Sequence, residues 1–184
     1  MLRDFIKPMK QLRSDFNKRK LLELKTLSNE FIEKAAFKND KFYAQMSLIS
    51  YALYNLLSKV HVAGNPKFSK FRLTVLGLID KSIYALKKKD AEDFSNNLDL
   101  TLKEIDEFDR KLGNFVMDVV EKARIKQASR AYSIGLSLSQ SSALTGADKK
   151  SVQNYVGKTT MHDEIIEVKG IKTRLEILKS MLGL

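Results

Sequence analysis

Along most of this chain apolar residues recur three or four positions apart, the period of one face of a helix. From Asp40, a candidate N-cap, Phe42, Met46, Ile49, Leu53, Leu56 and Val60 form the first clear stripe. His61-Val62-Ala63-Gly64-Asn65-Pro66 predicts its end, with glycine and proline in terminating places and His61 available to cap carbonyls. Phe68, Phe71, Val75, Leu78, Ile79, Ile83 and Leu86 make the next stripe, closing on Lys87-Lys88-Lys89, where cations suit a helix C-terminus. Asp90 then caps a helix carrying Phe94, Leu98, Leu102, Ile105, Phe108 and Leu112, and the early acids of that helix complement its dipole. Upstream, Met9, Leu12, Phe16, Leu24, Leu27, Phe31 and Ala35 fit one long helix or two in tandem, with Pro8 tolerated in the first turn. Gly113 permits either a bend or continuation. Beyond it Phe115, Val119, Val120 and Ala123 lead a helix to about Ile134, closed by Gly135. Ile171, Leu175, Leu178 and Leu182 predict a last amphipathic helix that docks on the bundle or on a second subunit.

No strand-like alternation of useful length interrupts this pattern, and two prolines and eight glycines in 184 residues leave little punctuation. The expected fold is all-α. An antiparallel bundle of four or five long helices, within residues 1–134, precedes a unit of short helices and a terminal helix over 135–184. No segment reaches the length of uncharged apolar sequence that a bilayer span requires, and Met1–Pro8 does not have the pattern of a signal peptide. The absence of cysteine excludes disulfides, thiolate metal sites and thiol nucleophiles together, and fits a reducing compartment. These features predict a cytoplasmic protein with no membrane partner.

Charge adds a partner class. The formal net charge is +11, and it is segregated by element. Residues 1–20 carry seven basic side chains against two acidic, and 67–89 carry seven against one. Residues 90–109 hold Asp90, Glu92, Asp93, Asp99, Glu104, Asp106, Glu107 and Asp109 against Lys103 alone; the chain then turns basic again through Arg110, Lys111, Lys122, Arg124, Lys126 and Arg130. A basic face concentrates nucleic acid by steering and counterion release. The alternative is that the acidic 90–109 helix pairs with a basic neighbour inside the bundle and leaves a solvated, lysine-rich scaffold surface for an acidic protein.

Ser142-Ala143-Leu144-Thr145-Gly146-Ala147-Asp148-Lys149-Lys150-Ser151-Val152-Gln153-Asn154-Tyr155-Val156 can be laid along a helix-turn-helix without a gap. Ser142 is small enough to let two helices approach, Gly146 supplies the freedom of the turn, and Val152 and Tyr155, three apart, plug back onto the first helix. Ser141 stands where the first helix of such a unit usually has a large apolar residue. Within this segment the sequence resembles the helix-turn-helix of lactose-repressor-type and phage-repressor DNA-binding domains. The resemblance implies that Asp148–Val156 is the recognition helix. The wider stretch Ala123–Thr159 also resembles the C-terminal part of uncharacterised helical proteins of archaeal type, which implies no activity.

Lys149, Lys150, Gln153, Asn154 and Lys158 lie on or just after that helix. Gln and Asn can pair bidentately with adenine, and Lys can reach guanine or phosphate. Arg124, Lys126 and Arg130, on the preceding helix, are candidates for backbone phosphates. Other chemistry is weaker. Gly157-Lys158-Thr159 copies the tail of a phosphate loop, but Val152 occupies the place of its first glycine and a helix precedes it. Gly157 is expected to end the recognition helix as its C′ residue. His162 heads a polar cluster with Asp163 and Glu164 but lacks a second histidine at the spacing of a helical zinc pair, and is expected to cap. Asp106 and Asp109 are expected on the solvent side of their helix. Tyr43, Tyr51 and Tyr54 are either stacking platforms for single strands or, on the most apolar helix, packing residues with hydroxyls at the rim. No set supplies nucleophile, base and metal together, so the expectation is a non-enzymatic protein without cofactor or metal, binding DNA rather than RNA, with a bundle able to dimerise.

Overall fold

Asp40 accepts hydrogen bonds from the amides of Phe42 and Tyr43 at 2.8 and 3.3 Å, and Asp90 accepts one from the amide of Asp93 at 2.9 Å. Each satisfies donors that the first turn of a helix leaves without partners, as expected of an N-cap. The computed structural model describes residues 2–59, 62, 64–113 and 118–162, the last four by their backbone. Among the described residues it is all-helical: a 3-10 turn, Leu2–Phe5, precedes α1 (Ile6–Asn17), α2 (Leu21–Lys38), α3 (Lys41–Leu57), α4 (Phe68–Lys88), α5 (Ala91–Leu112), α6 (Val119–Ser133), α7 (Leu138–Thr145) and α8 (Lys149–His162). None of these helices is long and apolar enough to cross a membrane. Val60, His61, Phe115, the side chain of His162 and the helix expected around Ile171–Leu182 lie outside the described residues.

Of the two arrangements open for the first helices, the tandem pair is found. The chain breaks between α1 and α2 at Arg19, which takes a left-handed φ of 52° and lays its guanidinium 4.7 Å from the centre of the Phe68 ring. α3 lies at the centre, packed against α1, α2, α5, α6 and α7. Its Met46, Ile49, Leu53 and Leu56 are wholly buried. Ser47 and Ser50, which interrupt the apolar run, donate to the carbonyls of Ser28 and Met46, both at 2.8 Å, so neither hydroxyl is a buried orphan. α4 and α5 close the far side, where the rings of Phe71 and Phe108 stack with centroids 4.2 Å apart.

Asp109 corrects an expectation. It is wholly buried rather than on the solvent side of α5. One oxygen accepts from Lys59 at 2.6 Å and the other from the amide of Val119, the first residue of α6, at 3.0 Å. A carboxylate tolerates burial when charge and hydrogen bonds are matched in this way. The acidic stretch is not generally neutralised by a basic neighbour: among the described residues, ion pairs leave α5 only from Asp109 to Lys59 and from Arg110 to Asp118.

α6 has two buried faces. Val119, Val120, Ala123 and Ala131 belong to the main core, while Ile125 and Ala128 build a second cluster with Ala147 and Val152, flanked by Leu138, Tyr155 and Val156. α7 opens with a reciprocal cap: Ser137 Oγ accepts from the Gln140 amide at 3.1 Å and Gln140 Oε1 from the Ser137 amide at 2.9 Å. It closes at Gly146, whose φ of 70° suits glycine and whose amide donates to the Ser142 carbonyl at 2.8 Å. Asp148 then caps α8 through the amide and hydroxyl of Ser151, at 2.8 and 2.9 Å, which holds its carboxyl below the ordinary carboxylate range. Gly157 does not end α8. The helix runs through it to His162, since one glycine inside a helix costs only about 1 kcal/mol and nothing at this position demands a left-handed backbone.

Candidate nucleic-acid interface

Val152 is the one wholly buried residue of α8 among those whose side chains are described, and it fixes which way the helix faces. Ser151, Tyr155 and Val156 are half-buried around it. At 3.6 residues per turn, Lys150, Gln153 and Asn154 fall on the side away from Val152, Lys149 stands one turn before Val152 and Lys158 lies on the flank, and all five are exposed. The turn before α8 is three residues, Gly146–Asp148, so the small core shared by α6, α7 and α8 sets the orientation of that polar face.

The three α6 cations are placed differently. Lys126 reaches α8: its ammonium donates to the Tyr155 hydroxyl at 2.8 Å and lies 5.2 Å from the centre of that ring. Arg124 pairs with Glu121 at 3.5 Å and lies against the turn, its Nε 3.8 Å from where a Cβ at Gly146 would stand. Arg130 is tied to Glu33 of α2 at 2.6 Å and is not part of the α8 surface. Positive charge nevertheless dominates, with Lys122, Arg124, Lys126, Arg130, Lys149, Lys150 and Lys158 against Glu121 and Asp148 over residues 119–158.

Between α3, α6 and α8 lies an open cavity of about 490 Å³, into whose lining the fold brings Lys122, Lys126, Lys158, Asn154, Tyr51 and Tyr155. Sequence reasoning counted Lys122 only as charge; its signal was the four-residue spacing to Lys126, which puts both on one face of α6. Burial, and secondarily the neighbouring Tyr155 and Tyr54, hold the Tyr51 hydroxyl above its ordinary pKa. The three tyrosines of α3 separate in role. Tyr43 is core, 4.6 Å from Phe5 between ring centres; Tyr54 is half-buried beside Tyr51; Tyr51 borders the cavity.

No known protein family, characterised protein or solved structure matches this chain. The chemistry of the site is therefore that of its residues. Among the described residues no three His, Asp or Glu side chains are grouped to hold a metal. Asp106, the other carboxylate expected on the solvent side, is partly buried at the α5–α6 junction, and its carboxyl is raised by that burial and by Asp118, against the opposing pull of Arg110 and Arg124. Arg110 is bonded to it, and the open cavity around it is lined by both signs of charge.

Proposed function

We propose that this chain is a non-enzymatic, cytoplasmic nucleic-acid-binding protein that reads DNA with α8. In this reading the antiparallel bundle carries α7, the turn and α8 as a helix-turn-helix, and α8 enters the major groove. The observation that carries the proposal is the polar surface of α8: two lysines, a glutamine and an asparagine crowd its N-terminal half, where a recognition helix meets base edges, and all four are exposed while Val152 is buried. Lys126 and Lys158, on the cavity beside it, supply phosphate contacts. If the bundle pairs two chains, the two copies of α8 should stand about 34 Å apart, one turn of DNA.

Equilibrium binding to random-sequence DNA and RNA pools tests this at two salt concentrations. We expect DNA to bind more tightly than RNA, with an affinity that falls steeply between about 50 and about 200 mM salt as counterion release weakens. Failure to bind either pool at about 50 mM salt, where backbone contacts are strongest, would leave the basic surface as a scaffold for an acidic protein.

A further inference from the structure

A larger cavity lies away from α8, where the 3-10 turn, the end of α2, the start of α3 and the α4–α5 junction meet. It is open, about 920 Å³, within the size range of small-molecule sites, and its lining is predominantly apolar. Leu2, the buried Phe5 and the half-buried Phe42 supply the apolar wall. Arg3, Lys38, Lys41 and Lys89 supply four cations. The single carboxylate in the lining, Asp40, is occupied as the cap of α3. Lys38 and Lys41 lie 5.6 and 5.8 Å from the centres of the Tyr43 and Phe42 rings, and none of the four cations has an ion pair among the described residues.

The backbone supplies a second sign. α2 and α4 both end here in left-handed residues, Asn39 at φ 49° and Lys89 at φ 62°. Glycine is the unstrained residue for such a cap, Asn tolerates it, and a lysine bears a steric penalty. At Lys89 the chain therefore keeps a strained cation at the rim of an apolar cavity.

We propose that this cavity binds a free amphiphilic organic anion, its carboxylate among Arg3, Lys41 and Lys89 and its aliphatic body on Leu2, Phe5 and Phe42. The apolar wall is idle for nucleic acid, and the cations belong to the lining of a concavity, which suits a single small molecule better than a bilayer surface.

The test uses the full chain and a dansyl-labelled undecanoic acid as fluorescent probe. Decanoate should displace the probe, and decanol of equal chain length should compete at least about tenfold less well, the factor expected when the ligand cannot form a charge-assisted hydrogen bond. Lys41→Glu should weaken probe binding by a similar factor. Lys89→Gly should weaken binding while raising the melting temperature, because it removes the cation and the backbone strain together; loss of binding in a more stable protein cannot be misfolding. Equal competition by decanol, unchanged affinity in both variants, no probe binding at millimolar concentration, or binding confined to phosphatidylglycerol vesicles would each overturn the proposal.

Discussion

The ammonium of Lys59 lies 2.6 Å from Oδ1 of Asp109, and the Asp109 side chain is 1% exposed. Its Oδ2 takes the amide of Val119, so one carboxylate ties the segment after α3 to α5 and caps α6, whose own N-cap residue Asp118 makes no side-chain cap. Removing one member of a buried, hydrogen-bonded pair costs about 3 to 5 kcal/mol. Asp109→Ala should fall near the lower end of that range, because Lys59 keeps some access to water, and Asp109→Asn should cost less, since its amide oxygen can still accept from Val119. Urea denaturation measures both. A loss under about 0.5 kcal/mol for Asp109→Ala would mean that the carboxylate behaves as a surface group.

Two glycines eleven residues apart should respond to alanine in opposite directions. Gly146 has a φ of 70°, and a Cβ there meets only ordinary contact with Arg124, so Gly146→Ala should cost about 1 kcal/mol or more through backbone strain. Gly157 lies inside α8 with open space around the Cβ position, so Gly157→Ala should stabilise by up to about 1 kcal/mol through helix propensity. Thermal unfolding of the two variants should move the midpoint down and up respectively; a Gly157→Ala variant less stable than wild type would show that α8 does not continue through this residue.

Burial raises the pKa of Tyr43 and Tyr51 above the ordinary 10.0, with Asp40 and Asp4 adding to the effect at Tyr43 and Tyr155 and Tyr54 at Tyr51. Above that pH the native state still holds protons that the unfolded chain has released. The stabilisation is therefore complete below about pH 10 and is lost as pH climbs through the native values. Titration by tyrosinate absorbance should show Tyr43 and Tyr51 ionising above the ordinary 10.0, and Tyr51→Phe should remove one of these late groups. Ionisation of Tyr43 and Tyr51 at the ordinary value would place both rings in water.

The helices were legible because each stripe is long and regular, so burial of Met46, Leu53 or Phe94 followed from period alone. What escaped were positions where a tertiary neighbour overrides the period. Asp109 faces inward because Lys59 and the Val119 amide meet it there, and neither is close to it in sequence. Ser141 stands where a large apolar residue was expected and is wholly buried, with no hydrogen-bond partner for its hydroxyl among the described residues, so that site in α7 is closed by a small residue. The exposed face of α8 followed from Val152 and Tyr155, but the cavity beside it required knowing that α3 brings Tyr51 to the same lining as α6 and α8, segments far apart in the chain that no local pattern connects.

On α8 itself the side chains divide by what they can recognise. Gln153 and Asn154 offer paired donors and acceptors, whereas Lys149 and Lys150 offer charge. If α8 lies in the major groove, Gln153→Ala with Asn154→Ala should abolish sequence preference while leaving most non-specific affinity, because base contacts specify and phosphate contacts position. Lys149→Ala with Lys150→Ala should weaken binding to every sequence and flatten its salt dependence, by about one unit of slope for each phosphate that is no longer neutralised. All four side chains are exposed, so neither pair should alter stability beyond about 0.5 kcal/mol, and a change in binding can be assigned to the surface. Selection from a random DNA pool, run on wild type and both variants, distinguishes the roles. Equal, sequence-independent losses from the two pairs would show α8 to be an electrostatic surface only, without base readout.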